Sequence, residues 1–143
     1  MSEQYSPNKY AAVLEAVQIE TISLLDLSAK SFPENIDRPP FNVEIENETE
    51  FQFSEKTNDF SGIDRFHLIS KQKGQILLEL RLSIRAHFTS PVKVDKTFLK
   101  LFEQNSLKLF TYPFLRQCVW DVTAKMGLPP LVLPIWKIHR KST

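Results

Sequence analysis

Glycine is scarce, cysteine is nearly absent and neither sign of charge is in excess; each shortage removes a class of function. Three glycines in 143 residues leave no glycine-rich loop whose backbone amides could cradle phosphates. The single Cys118 excludes an intrachain disulfide framework and a cysteine-rich zinc site, and suits the reducing cytoplasm. Eighteen Lys and Arg offset seventeen Asp and Glu, for a net charge of +1. So small a charge provides no field suited to nucleic acid or to an anionic membrane surface. No apolar run approaches the ~18 residues that a membrane helix needs. Residues 1–10 are polar and lack the basic start and apolar centre of a secretory signal, so neither export nor membrane insertion is expected. His67, His87 and His139 are scattered in sequence, so no metal is expected, and no catalytic constellation or cofactor site emerges.

What remains is a chain that is 42% hydrophobic and 24% charged, with nine prolines and eleven phenylalanines. Its length suits one domain over residues 1–143, able to bury roughly two-thirds of its unfolded surface. Residues 1–12 are expected to be a flexible N-terminal stretch, and residues 137–143 a short basic tail.

Periodicity supplies the elements. Leu78, Leu80, Leu82, Ile84, Ala86 and Phe88 alternate with Glu79, Arg81, Ser83, Arg85 and His87, the pattern of a half-buried antiparallel strand. Residues 66–70 read as a shorter strand joined to it by a polar turn in which Gly74 supplies positive φ. Phe41, Val43 and Ile45 alternate with Asn42, Glu44 and Glu46 in another strand, and residues 17–27 form a fourth, more aliphatic one. Pro33, Pro39 and Pro40 block helix and ladder alike, so residues 29–40 read as an ordered crossover loop. Residues 54–59 read as a solvated turn.

After residue 90 the period becomes helical. Asp95 is a candidate N-cap for a short helix carrying Phe98, Leu99, Leu101 and Phe102. Leu115, Cys118, Val119, Val122 and Met126 form the apolar stripe of a main helix that stops at Gly127 and is restarted or kinked at Pro113. The expected fold class is therefore α+β: a four-stranded antiparallel sheet with helices on one face.

One stretch is more specific. Tyr112-Pro113-Phe114-Leu115-Arg116-Gln117-Cys118, the helix end at Gly127, and Leu128-Pro129-Pro130-Leu131-Val132-Leu133-Pro134-Ile135 resemble the SecB family of protein-export chaperones. That family has a Pro-aromatic-x-Arg-Glu helix leading through a glycine to a Pro-x-Leu-x-Leu-x-Pro segment. Here Gln117 stands for the glutamate and Pro134 comes one residue early. The order of strands, crossover loop and helix also matches, over about residues 13–136. The resemblance implies a homotetramer that holds unfolded polypeptide without ATP. Only nine residues follow Pro134, without the family's second helix and acidic tail, so docking to the export motor ATPase is not expected. Divergent relatives that guard an antitoxin in toxin-antitoxin systems are the better comparison.

The resemblance also implies an apolar client groove. Its expected lining is Phe32 in the crossover region, Phe41, Val43, Phe51 and Phe53 along a strand, Phe110, Tyr112 and Phe114 on the helix, and Leu131, Leu133 and Trp136 in the exit segment. Read from the residues alone, each of these could equally belong to the protein's own core or to a subunit interface. Two other classes stay open: a structural or antitoxin-like protein that binds one partner permanently, and a small ligand-binding or enzymatic domain with a deep closed pocket.

Overall fold

The computed structural model describes residues 7–32, 42–54, 56–72, 74–129 and 131–133. Four antiparallel strands, β1 (Gln18–Ser31), β2 (Asn42–Phe53), β3 (Phe60–Gln72) and β4 (Gln75–Thr89), form one sheet in the order β1-β4-β3-β2. Helices α1 (Pro7–Ala16), α2 (Lys96–Asn105) and α3 (Leu107–Lys125) complete the α+β fold expected from the sequence.

Cross-strand register explains why one face of the sheet is covered. The alternate residues Phe60, Phe66 and Leu68 of β3 and Leu80, Leu82, Ile84, Ala86 and Phe88 of β4 are buried, and they share a face. Their neighbours Arg65, Arg81 and Arg85 point the other way and are exposed. Leu115 and Val119 of α3 are buried against the apolar face together with Phe66, Leu68 and Leu80. A second cluster gathers Phe60 and Phe88 from the sheet with Phe98 and Phe102 from α2. Its rings meet tilted, stacked or edge-on, such as Phe88 on Phe102 at 4.9 Å and 78°; such offset pairs add roughly 0.5–1.5 kcal/mol each beyond area burial.

A polar group sits in the middle of this apolar face. Asp64 of β3 is 0% exposed and accepts hydrogen bonds from Lys108 Nζ at 2.8 Å and Thr111 Oγ1 at 2.6 Å. Thr49 Oγ1, on the β2 residue directly opposite, lies 2.5 Å away and donates to it as well. The carboxylate thus ties the first turns of α3 to two strands. Two residues earlier, Gly62 leaves room for Leu107: an added Cβ would lie 3.0 Å from Leu107 Cδ1 and 3.2 Å from Phe51 Cε1.

Several expectations are corrected by the structure. The third strand starts at Phe60 rather than residue 66, because its inward positions 62 and 64 hold Gly and Asp and so hide the alternation. Residues 7–12, expected to be part of a flexible N-terminal stretch, lie in α1. Helix α3 runs unbroken through Pro113, whose ring is exposed. The missing hydrogen bond leaves the Leu109 carbonyl on the solvent side, where water can serve it. Of the predicted helix stripe, Leu115 and Val119 are fully buried, whereas Cys118, Val122 and Met126 are half-buried. Asp95 caps α2 as expected, accepting from Phe98 N at 2.8 Å. Residues 29–31, expected to open the crossover loop, continue β1 and pair with Leu80, Glu79 and Leu78 of β4; the rest of that loop from residue 33 to residue 40, and the basic tail, lie outside the described residues.

Removing one member of the buried pair should be costly, since an unpaired buried charge remains. Lys108→Met is expected to lose about 3–5 kcal/mol of unfolding free energy in urea melts, and Asp64→Asn in the same chain should return part of it. Gly62→Val should lose roughly 1–3 kcal/mol by forcing Leu107 off the sheet.

Candidate functional site

The helix layer covers the central strands and reaches part of β1, whose Ile22 and Ala29 pack half-buried against the core, and it leaves other apolar residues of both edge strands open. On β2 the residues that share the covered face are Val43 and Phe51, half-buried, and Ile45 and Phe53, which are 36% and 50% exposed. The same face of β3, one strand inward, is buried. Phe53 also borders a 420 Å³ depression with Ser54, Thr57, Asn58, Asp59, Lys93 and Val94. On β1, Leu24, Leu25 and Leu27 are all exposed by a third or more; Leu24 pairs with inward-facing Ile84, Leu27 pairs with inward-facing Leu82, and Leu25 lies at a register shift. Among the described residues β1 and β2 are the sheet edges, with a row of free backbone donors and acceptors. They are protected differently: β1 carries two register shifts, while β2 pairs with β3 without interruption and turns exposed Glu44, Glu46, Glu48 and Glu50 outward.

Helix α3 adds a third open strip. Leu109, Pro113, Arg116 and Trp120 recur at spacings of three and four and so share a helix face. Leu109 is 59% and Trp120 45% exposed. Beside them Val132 and Leu133 complete a 240 Å³ depression.

The proline-rich exit is placed by the helix itself. Gly127 has φ 75°; its amide donates to the Ala124 carbonyl, and the Leu128 amide donates to the Thr123 carbonyl, both at 3.1 Å. This pair of bonds closes the helix by turning the chain back over it. Thr123 is fully buried, and its hydroxyl accepts from the Leu131 amide at 2.9 Å. Arg116 Nε donates to the Leu133 carbonyl at 3.0 Å. An extended segment with few amide donors of its own is thereby held at two points, with Leu133 driven into the core at 1% exposure and Val132 left outside.

The expected groove residues do not converge on one surface. Tyr112 and Leu133 are buried in the protein's own core, where they offer nothing to a client. Val43, Phe114 and Leu131 are half-buried against that same core. Phe51 and Phe110 border the phenylalanine cluster; Phe110 packs 5.3 Å from Phe88. Phe32 is half-buried at the end of β1, its amide bonded to the Leu77 carbonyl at 2.9 Å. Phe53 is the most open of the set. Phe41 and Trp136 lie outside the described residues. Sequence reading missed the open residues Leu109, Trp120 and Val132; the helical spacing of the first two, opposite the buried Leu115 and Val119, was the available signal.

The outer sheet face is polar. His67 spans three strands, with Nε2 3.1 Å from Glu79 of β4 and Nδ1 3.6 Å from Glu46 of β2. The His67 hydrogen bond holds the Glu79 carboxyl below its ordinary range, so this contact is intact at neutral pH and is lost as pH falls through that lowered value. Ser61, His87 and Glu20 bring together the residue types of a hydrolase triad, with Ser61 Oγ 2.6 Å from His87 Nδ1 and Glu20 3.8 Å from Nε2. Yet Ser61 is 3% exposed and also accepts from Arg85 at 3.2 Å. A nucleophile must be reachable, so this set is a cross-strand link. Burial pushes the Cys118 thiol up, assisted by Asp121, away from thiolate reactivity. Among the described residues no three His, Cys, Asp or Glu side chains gather as a metal would need, and no helix is long and apolar enough to cross a membrane.

A sheet of this strand order, flanked on one face by helices and closed by a proline-rich exit, superposes on the Rv1957 SecB-like chaperone of Mycobacterium tuberculosis, solved in complex with a ChAD peptide from the Rv1956 HigA1 antitoxin. The TM-score is 0.78 at 22% identity, over 92% of this chain and 99% of that one. The fold is that of a SecB-like chaperone. The likeness read from residues 112–135 is thus shown at the level of the fold. A protein of unknown function from Streptococcus agalactiae is more distant, with TM-score 0.46 at 14% identity over 83% of this chain and 97% of that one. No family model and no curated protein matches the sequence.

The two anchors of the exit segment can be tested separately from function. Thr123→Val should leave the Leu131 amide without its partner, with a loss of about 1–3 kcal/mol in thermal or urea unfolding. Arg116→Ala should speed proteolytic cleavage within residues 128–133 while leaving the sheet's hydrogen-exchange protection unchanged.

Proposed function

We propose that this SecB-like protein is an ATP-independent chaperone that holds unfolded or partly folded polypeptide on the open apolar strips beside its helix layer. The observation that carries the reading is the partly open helix-side surface of β2, with Ile45 and Phe53 exposed and Val43 and Phe51 half-buried, next to the buried helix-side face of the central strands. Large aromatic and aliphatic groups left half-open at an uninterrupted strand edge suit an extended chain. Such a chain can add backbone hydrogen bonds along the edge and lay alternate side chains on the strip. Affinity then comes from many weak contacts, and sequence selectivity is low.

The client class we favour is the antitoxin of a toxin-antitoxin pair. The support is that the structural relative was solved with an antitoxin peptide bound. In this reading the protein works in the cytoplasm, is not an enzyme and needs no cofactor, nucleic acid or membrane. Service to the export motor is not part of it.

The β1 edge has a different role in this proposal. Leu24, Leu25 and Leu27 are exposed on a strand whose apolar groups must be covered to avoid indiscriminate pairing. A second copy covers them, and two such dimers make the homotetramer.

Light scattering at micromolar concentration should give a tetramer; a monomer would sink the assembly. Fluorescein-labelled, reduced and carboxymethylated α-lactalbumin should bind with anisotropy change, and the protein should suppress aggregation of several unrelated unfolded proteins. Phe53→Ser together with Ile45→Ser should weaken that binding by several-fold while the melting temperature hardly moves, because both side chains are already open. Binding of one partner alone, with no suppression across unrelated clients, would instead support a permanent structural or antitoxin-like partner.

A further inference from the structure

Helix α1 is the least integrated element of the fold. It has ten residues, none of them buried, and isolated helices below about 12–15 residues are marginal in water. Its helical form therefore depends on the surface it rests on. That surface is the phenylalanine cluster. Tyr10 packs its ring 5.4 Å from Phe98 and places its hydroxyl 2.6 Å from Ser106 Oγ, at the junction of α2 and α3. Val13, Leu14 and Val17 pack half-buried against the same cluster, which Phe51 and Phe110 also border. On its other flank a 450 Å³ cleft lined by Lys9, Ala12, Val13, Val92, Lys93 and Asp95 separates α1 from the loop after β4. The contacts to the cluster that α1 gives up on lifting away are the Tyr10–Ser106 hydrogen bond, the Tyr10–Phe98 ring contact and a half-buried apolar face. Val17, whose amide still bonds to the Val13 and Leu14 carbonyls, joins it directly to β1.

Tyr10, Val13, Leu14 and Val17 stand at positions i, i+3, i+4 and i+7, the spacing by which an amphipathic helix reads a groove. We infer that α1 is a displaceable internal occupant: it fills a seat on the phenylalanine cluster that client chain with an aromatic residue followed by aliphatics at this spacing can take over. The inference rests on the chaperone reading and deepens it by naming a helical client motif beside the extended one. It also explains how a surface rich in phenylalanine stays closed when no client is present, since large uncovered apolar patches invite association. Tyr10's phenol is raised by its burial against the cluster, with the Ser106 hydrogen bond opposing that shift, consistent with a seat that excludes water.

Two measurements on the full-length protein test this. In the first, hydrogen exchange of the amides in residues 10–17 is followed with and without saturating reduced carboxymethylated α-lactalbumin. Client is expected to speed exchange in α1 while the β3 and β4 amides stay protected; unchanged or slower exchange in α1 overturns the inference. In the second, Tyr10→Ala is expected to tighten binding of that client by roughly three- to ten-fold, because removing a competing internal occupant raises the open fraction. The milder Tyr10→Phe, which keeps the ring and loses only the Ser106 bond, should fall between. Should Tyr10→Ala fail to fold, Tyr10→Phe decides: equal or weaker binding than wild type overturns the inference. If wild type binds client but neither variant differs and α1 exchange does not respond, the inference about α1 falls and the chaperone reading stands. If the folded wild type and both variants all fail to bind, the chaperone reading falls as well.

Discussion

A single buried carboxylate decides where the helix layer sits. Asp64 lies on the apolar face of the sheet with no exposure, and a charge taken out of water there is tolerable only when it is paired and fully hydrogen-bonded. Lys108 and Thr111, one helical turn apart on α3, together with Thr49 on the neighbouring strand, meet that demand. Hydrophobic contact alone would let a helix slide over a sheet by a residue or rotate by a fraction of a turn. A salt bridge inside the core would lose its geometry under either movement. The start of α3 is thereby fixed over β3 and β2, and the rest of the helix runs outward from that point toward β4 and β1. What the helix covers and what it leaves open both follow from this placement.

The open surfaces are thus a consequence of the same constraint. With the helix layer centred on β3 and β4, the apolar residues at the two edges have only half a partner. The sheet manages its edges in two ways. Two irregularities interrupt β1, and a row of outward glutamates runs along β2. Irregularity discourages any regular neighbour, whereas charge discourages only neighbours of like sign. An edge defended by charge alone remains available to a chain that brings no negative charge of its own.

Much of this was legible in the sequence because it follows from periodicity. The alternation from Leu78 to Phe88 gave β4, the stripe through Leu115 and Val119 gave α3, and the Pro-Gly punctuation around residues 127–134 gave both the helix stop and the likeness to the SecB-like fold. The first half of β3 was not legible. Gly62 and Asp64 occupy inward positions that a pattern reader expects to be apolar, and their roles become visible only once Leu107 and Lys108 are placed above them. Helix α1 escaped for a related reason: a short, weakly amphipathic stretch becomes helical through its seat rather than its propensity. Of the expected groove residues, Phe53 lies open at the end of its strand. Tyr112 and Leu133 are buried, which was not legible because an aromatic ring and a leucine in a proline-rich segment look alike whether they face client or core. The hydrogen bond from Arg116 that turns Leu133 inward joins residues on two different elements and leaves no mark in local sequence.

The strand order has a consequence for how the chain comes into being. β3 and β4 are joined by a tight turn at Gly74 and can pair as soon as both exist, and β2 can join β3 across a short turn. β1 is made before all of them, yet it pairs with β4 alone, Gln18 opposite Thr89 and Ser31 opposite Leu78. During synthesis its leucines therefore emerge first and wait for roughly half the chain to be made, several seconds at about 5–20 residues per second. Such long-range pairing is slow and leaves an apolar strand unprotected in the meantime. A protein with the fold of a chaperone thus passes, each time it is made, through an interval in which it is itself an aggregation-prone nascent chain.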